Sequence, residues 1–232
     1  MRKYKLKKGI LIAIEGIDGA GKTTQTFRLR DHFRQKGIQA QCFKEPTDGP
    51  YGQQIRNLAI NGRHSVTYEE ELELFIKDRI CDCETNLQPA LDVNTLVILD
   101  RYYFSNIAYQ GALGLNINEI LERNEQIAII PDLVIILDLA VKIGLSRITN
   151  NRGDEHNHFE NEEYLEKVRK IFKQMESPYI QIVNGSQDED AVFSHIRNIV
   201  QDIIAPYITK IESQFDLFEA GIEKGKVSFS IN

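Results

Sequence analysis

Residues 16–23 read Gly-Ile-Asp-Gly-Ala-Gly-Lys-Thr, a match to G-x-x-x-x-G-K-[ST]. Each position of this motif has a chemical reason. Gly16, Gly19 and Gly21 let the backbone curl until its N–H groups converge on phosphate oxygens, with Ile17, Asp18 and Ala20 completing the loop. Lys22 adds a positive charge toward the β/γ-phosphates, and the Thr23 hydroxyl can ligate Mg²⁺. The helix that follows, from about Thr24, turns its positive end to the same place. With glycine near 7% of residues in general, a chance match in a chain of this length is on the order of one in a hundred. A buried strand before the loop and a helix after it are the context the motif requires, so a nucleotide phosphate site is expected here.

A phosphate cradle does not by itself separate switch, motor and kinase. A guanine-binding switch needs an N/T-K-x-D element, and the nearest match, Thr209-Lys210-Ile211-Glu212, lacks the aspartate. A kinase needs a second pocket for an acceptor, and three clusters offer one. Lys44-Glu45-Pro46-Thr47-Asp48-Gly49 directly follows a strand, at the carboxyl edge where open α/β sheets bind ligands. Phe75 and Arg79 lie four apart on a helix and share a face, so one can stack on a base while the other hydrogen-bonds to it. Alone, such a pair is more often core plus rim. The strand Val97-Ile98-Leu99 runs into Asp100-Arg101-Tyr102, followed by the i,i+4 pairs Ser105/Tyr109 and Asn106/Gln110 on one polar helix face. In a parallel sheet, Asp100 and Arg101 would sit beside the phosphate loop.

These groups need a scaffold. Short apolar runs at residues 9–14, 38–43, 95–99, 133–137 and 179–183 read as strands, apolar on both faces as in a covered parallel sheet. Helical patterns lie between them: residues 24–36, ended by Gly37, then 69 to about 89, 165–175 and 191–204. This β-α-β-α rhythm predicts an α/β fold, a doubly wound parallel five-stranded sheet with helices on both faces. Residues 1–210 are expected to form one domain. The polar, glycine-containing stretch 150–158 reads as a mobile loop, part of a short lid at about 147–160. Residues 211–232 form a loosely patterned extension with no role assigned.

Composition sets limits. The 232 residues are 42% hydrophobic and 27% charged with a net charge of −6, which fits a globular protein and lacks the basic footprint of a duplex nucleic-acid binder. The basic start (residues 1–8) precedes an apolar run that stops at Glu15, too short for a secretory core. No stretch approaches a membrane span, so a cytoplasmic protein with no membrane partner is expected. Three cysteines, Cys42, Cys81 and Cys83, make no disulfide framework, and the last two would point to different helix faces.

Taken in order, Ile14–Gln25, Glu45-Pro46, residues 75–79 (Phe-Ile-Lys-Asp-Arg), Asp100-Arg101-Tyr102, residues 108–111 (Ala-Tyr-Gln-Gly) and Pro131-Asp132-Leu133 resemble the thymidylate kinase family of P-loop nucleoside-monophosphate kinases. The resemblance covers residues 9 to about 204. It implies Mg²⁺-dependent transfer of the γ-phosphoryl of ATP to dTMP, with ATP and dTMP as small-molecule partners, and a homodimer. It also implies roles. Phe75 stacks on thymine, and Arg79 and Gln110, helped by Ser105 or Asn106, read its polar edge. Tyr109 sits against the sugar's C2′ position. Arg56 and Arg101 hold the acceptor phosphate, while Asp18 and Glu45 lie near the sugar hydroxyl and the metal's water shell. Thr23 and Asp100 serve the metal. Arg147 and Arg152 close over the ATP phosphates and, with Lys22, Arg101 and Asp18, form the catalytic group. The chain departs from the family pattern at Lys44, at His158-Phe159-Glu160 in the lid and at Asn184. Alternatives are another nucleotide or deoxynucleoside kinase, and a nucleotide-binding relative without turnover.

Overall fold

A computed structural model describes residues 4–62, 66–152 and 162–211, with side chains at 149–152 excepted. Five parallel strands form the central sheet: β2 (Ile10–Gly16), β3 (Ala40–Lys44), β4 (Leu96–Asp100), β5 (Leu133–Asp138) and β6 (Ile180–Asn184), in the order β3-β4-β2-β5-β6. The expected sheet is present, each strand within two residues of its expected limits at either end. Every residue of β2 and β4 is buried, which accounts for their unbroken apolar runs. The edge strands are covered less: Ile182 on β6 is 45% exposed.

The helices are α1 (Lys22–Gln35), α2 (Pro50–Asn61), α3 (Tyr68–Asp82), α4 (Gln88–Asp92), α5 (Tyr103–Ala112), α6 (Ile117–Glu125), α7 (Val141–Arg152), α8 (Glu162–Gln174) and α9 (Glu189–Ile204). Helix α1 packs with α9, and α5 packs with α3 and α8, so both faces of the sheet are covered. Thr67 opens α3 with a capping box: its hydroxyl accepts from the Glu70 N–H, and the Glu70 carboxylate accepts from the Thr67 N–H. Residues 83–87 form a π-helical turn that carries α3 into α4. Pro89 falls in the first turn of α4, where its missing N–H costs little, so the helical run extends to Asp92 and does not stop at the proline.

Strand β1 (Tyr4–Leu6) pairs antiparallel with β7 (Ile208–Lys210), fastening the start of the described chain to its end. Helix α7 continues through residue 152, so residues 150–152, expected in a loop, are helical. The remainder of the expected lid, His158 included, and residues 212–232 lie outside the described residues. Among the described residues all three cysteines are free, with Cys81 exposed and Cys83 buried. No helix there is long and apolar enough to cross a membrane.

Candidate active site

Three strand ends converge on one crevice. The register pairs Ile14 with Asp100 and Lys44 with Asp100, so the carboxyl ends of β2, β3 and β4 stand side by side. The phosphate loop leaves β2 there, at the edge where doubly wound sheets bind ligands. Gly19 (φ 78°) and Gly21 (φ 90°) take left-handed conformations that a Cβ would strain. No side chain among the described residues caps α1 beyond Gly21, which leaves its first-turn N–H groups for an anion.

Lys22 is buried and its Nζ donates to the Ile17 carbonyl at 2.8 Å. Burial, and then the nearby Arg101 charge, push its pKa down to about 8. The Thr23 hydroxyl donates to the Asp100 carboxylate. A cavity of about 450 Å³ is bounded by Asp18–Gln25, Lys44, Asp100, Arg101, Arg147, Ile148, Gly185, Gln187, Glu189 and Val192. Arg147 reaches the carbonyls of Gly19 at 3.3 Å and Gly185 at 3.4 Å, tying α7 to both walls. Gly16 and Ile17 do not line this cavity: Ile17 has its side chain in the core and contributes only its carbonyl.

Arg101 occupies the centre. Its φ is +73°, a left-handed conformation that costs a non-glycine residue roughly 1–2 kcal/mol. Its guanidinium pairs with Asp18, donates to the Ser105 hydroxyl at 3.2 Å and approaches the Tyr109 hydroxyl at 3.4 Å. Burial opposes its charge, but Asp18 and the neighbouring acids outweigh that and raise its pKa. Tyr109 in turn donates to Asp18 at 3.2 Å. Beneath this cluster lies Glu15, fully buried, whose carboxylate accepts from the Tyr102 N–H (2.7 Å), the Ser105 N–H (3.2 Å) and the Ser105 hydroxyl (2.7 Å).

A second cavity of about 220 Å³ adjoins the first. Phe75, Arg79, Ser105, Asn106, Tyr109 and Gln110 line it together with Glu45, Pro46, Ile55, Arg56, Ala59 and Tyr102. Asp18 and Arg101 line both cavities. The i,i+4 face of α5 and the Phe75/Arg79 face of α3 therefore meet across one space. Arg79 is buried and held on three sides, by Glu45, by Asn106 at 2.7 Å and by Asn124. Glu45, expected near a sugar and a metal, is itself buried against Arg79; burial pushes its pKa up to about 8, against the pull of that arginine. Asn106 donates its amide to Gln110 at 3.3 Å. Arg56 binds the Pro46 carbonyl at 3.1 Å and Asp48 at 3.0 Å at the cavity mouth. The side chain of Arg152 lies outside the described residues.

Sequence reasoning gave no role to Glu15 or Asn124. An acid closing an apolar strand was the available signal for Glu15, because a carboxylate carried into a core requires partners. For Asn124 there was none, since α6 carries no motif. The residues expected to serve a metal offer hard oxygens: Thr23 hydrogen-bonds to Asp100, and no group of three or more His, Cys, Asp or Glu among the described residues could cage an ion. That set fits Mg²⁺, which keeps its waters and takes one or two protein oxygens beside substrate phosphates.

A parallel sheet carrying a phosphate loop, with a second aromatic and cationic cavity meeting it at Asp18 and Arg101, defines the class as a P-loop nucleotide kinase. Comparison with known proteins narrows it. The family model described as thymidylate kinase matches residues 14–196. Thymidylate kinase of Desulfotalea psychrophila is 46% identical over 196 residues, 84% of this chain and 93% of that protein. Thymidylate kinase of Xanthomonas euvesicatoria pv. vesicatoria is 44% identical over 215 residues, 93% of each chain. The chain belongs to the thymidylate kinase family.

Proposed function

We propose that this chain transfers the γ-phosphoryl group of ATP to dTMP, giving dTDP and ADP. The observation that carries the reading is that the two cavities share Asp18 and Arg101, so a donor and an acceptor would meet there end to end. Phosphoryl transfer asks for alignment and charge neutralisation, with no covalent intermediate on the protein.

ATP lies in the larger cavity, its phosphates on the loop N–H groups, Lys22 and the first turn of α1. When bound, Mg²⁺ supplies charge neutralisation between phosphate oxygens, with Thr23 and Asp100 as its protein holders. Lys22 gives up its bond to Ile17 to reach phosphate oxygen. In the smaller cavity Phe75 stacks on thymine, Arg79 and Gln110 face its polar edge, and Tyr109 crowds the sugar. Asp18 and Tyr109 hold the Arg101 guanidinium at the seam, so its charge is already in place when the phosphoryl group moves. Arg56 completes the acceptor phosphate's surroundings. Arg147, and Arg152 beyond it, add charge from α7 and close the site to water, which otherwise competes as acceptor. The active assembly is a homodimer, in keeping with the family. Light scattering that returns only the 26.6 kDa of one chain would remove that part.

The test is turnover of ATP with dTMP, dUMP, dCMP and thymidine in parallel. Efficient phosphorylation of dTMP is expected. Preference for thymidine would make the chain a nucleoside kinase, and ATP binding without transfer to any acceptor would make it a non-catalytic relative.

A further inference from the structure

We propose that Glu15 is a positioning residue for the transfer, setting Arg101 through the Ser105 hydroxyl. This rests on the reading of Arg101 as the group that gathers phosphate charge between the cavities. Glu15 has no exposure to solvent, so protein donors must satisfy its carboxylate. One oxygen takes the Tyr102 and Ser105 N–H groups, and the other takes the Ser105 hydroxyl.

A hydroxyl has one proton to give. Because Ser105 gives it to Glu15, its lone pairs are left for Arg101, whose Nη1 donates to that oxygen at 3.2 Å. The same carboxylate also pins the backbone N–H that follows Arg101, holding the left-handed turn. Backbone and guanidinium of Arg101 are thus tied, at opposite ends, to one buried acid. Burial raises the Glu15 pKa, and the Ser105 hydroxyl, the Arg101 charge, the Tyr102 N–H and the Lys22 charge pull against it.

Replacing the acid by its amide shows why two acceptor oxygens are needed. The Glu15→Gln side chain has one acceptor oxygen in place of two. If that oxygen keeps the two N–H groups, the amide nitrogen donates to Ser105, whose own proton loses its acceptor and must turn away. If it takes the hydroxyl, the amide nitrogen confronts the N–H groups of Tyr102 and Ser105. In either orientation a donor is left without its acceptor, and either the hydroxyl that receives Arg101 is no longer fixed or the turn loses its anchor.

The experiment is a double-mutant cycle on steady-state kinetics with ATP and dTMP, using Glu15→Gln, Arg101→Ala and the pair, with thermal melts to check folding. Glu15→Gln is expected to lower kcat roughly tenfold to a hundredfold, the scale of disturbing a supporting shell. The KM for ATP should hardly move. In the Arg101→Ala background the same change should alter kcat less than about twofold, since nothing is left to position. Equal losses in both backgrounds would overturn the proposal and leave Glu15 a folding role only. Should Glu15→Gln fail to fold, Ser105→Ala decides: it removes the bridge while keeping the Tyr102 and Ser105 N–H bonds to Glu15, and an unchanged kcat overturns the proposal. A parent protein that phosphorylates no acceptor would refute the functional reading itself, and this proposal with it.

Discussion

Gly144, in the first turns of α7, meets the phosphate loop backbone to backbone: a Cβ added to it would stand 2.6 Å from the carbonyl oxygen of Asp18. A Cβ on Gly19 would in turn run into the backbone of Gly144. The helix carrying Arg147 and Arg152 is therefore seated directly on the donor loop. Gly144→Ala should raise the KM for ATP several-fold. Helix propensity alone favours alanine by about 1 kcal/mol, so unchanged or higher thermal stability with weaker ATP binding would identify the contact as the cause. An unchanged KM would mean that loop and helix separate freely.

Phe75 lines the acceptor cavity opposite the polar face of α5. Base–aromatic stacking is worth roughly 1–3 kcal/mol, about 5- to 150-fold in affinity. Phe75→Ala should weaken dTMP binding by that factor in calorimetry while the melting temperature moves little. Unaltered dTMP affinity with a large drop in melting temperature would place the ring in the core.

Burial disfavours the charge of Lys22 and pushes its pKa from an ordinary 10.5 down to about 8. The sign follows. Below pH 8 both native and unfolded chains carry this proton; between about 8 and 10.5 only the unfolded chain does. The stability cost of holding Lys22 therefore shrinks as pH rises through that window. Bound phosphates restore the charge, so kcat/KM for ATP should fall above pH 8, and ATP binding at pH 8.5 should take up a proton. Calorimetry in two buffers of different ionisation enthalpy measures that uptake, and Lys22→Gln should abolish it.

Chelation of Mg²⁺ should stop turnover without unfolding the protein, because Thr23 and Asp100 satisfy each other by a direct hydrogen bond. Melting curves with and without chelator should superimpose in the absence of nucleotide. A large drop in melting temperature on chelation would point to a structural ion instead.

Arg152→Ala should lower kcat more than it changes dTMP affinity, since α7 approaches the donor side of the site through Arg147. Turnover at the parent rate would remove Arg152 from the chemistry.

Much of this site was legible because phosphate chemistry imposes local spacing. The glycines, Lys22 and Thr23 of the loop are consecutive, and their geometry is set by φ values and by one strand-to-helix turn. The i,i+4 faces of α3 and α5 were equally readable, since 3.6 residues per turn puts such pairs side by side. Where local signals were weak the expectations drifted. The pairing of β1 with β7 joins short segments about 200 residues apart, for which no periodicity speaks. The ion pair of Glu45 with Arg79 was not expected either, because it joins a strand-end residue to a helix residue 34 positions away.

The amino-acid order alone determined the phosphate cradle and the parallel sheet, because each follows from contacts within a few residues or from runs of buried strand, and the order of its motifs carried the resemblance to a kinase family. Only the folded chain decided that Asp18 and Arg101 stand at the seam of two cavities, that Glu15 holds the turn beneath them, and that Asn124 braces Arg79. Those relations join residues 45 to 90 positions apart. Partners for a buried charge are chosen by whatever packing brings near, and packing is a property of the whole fold.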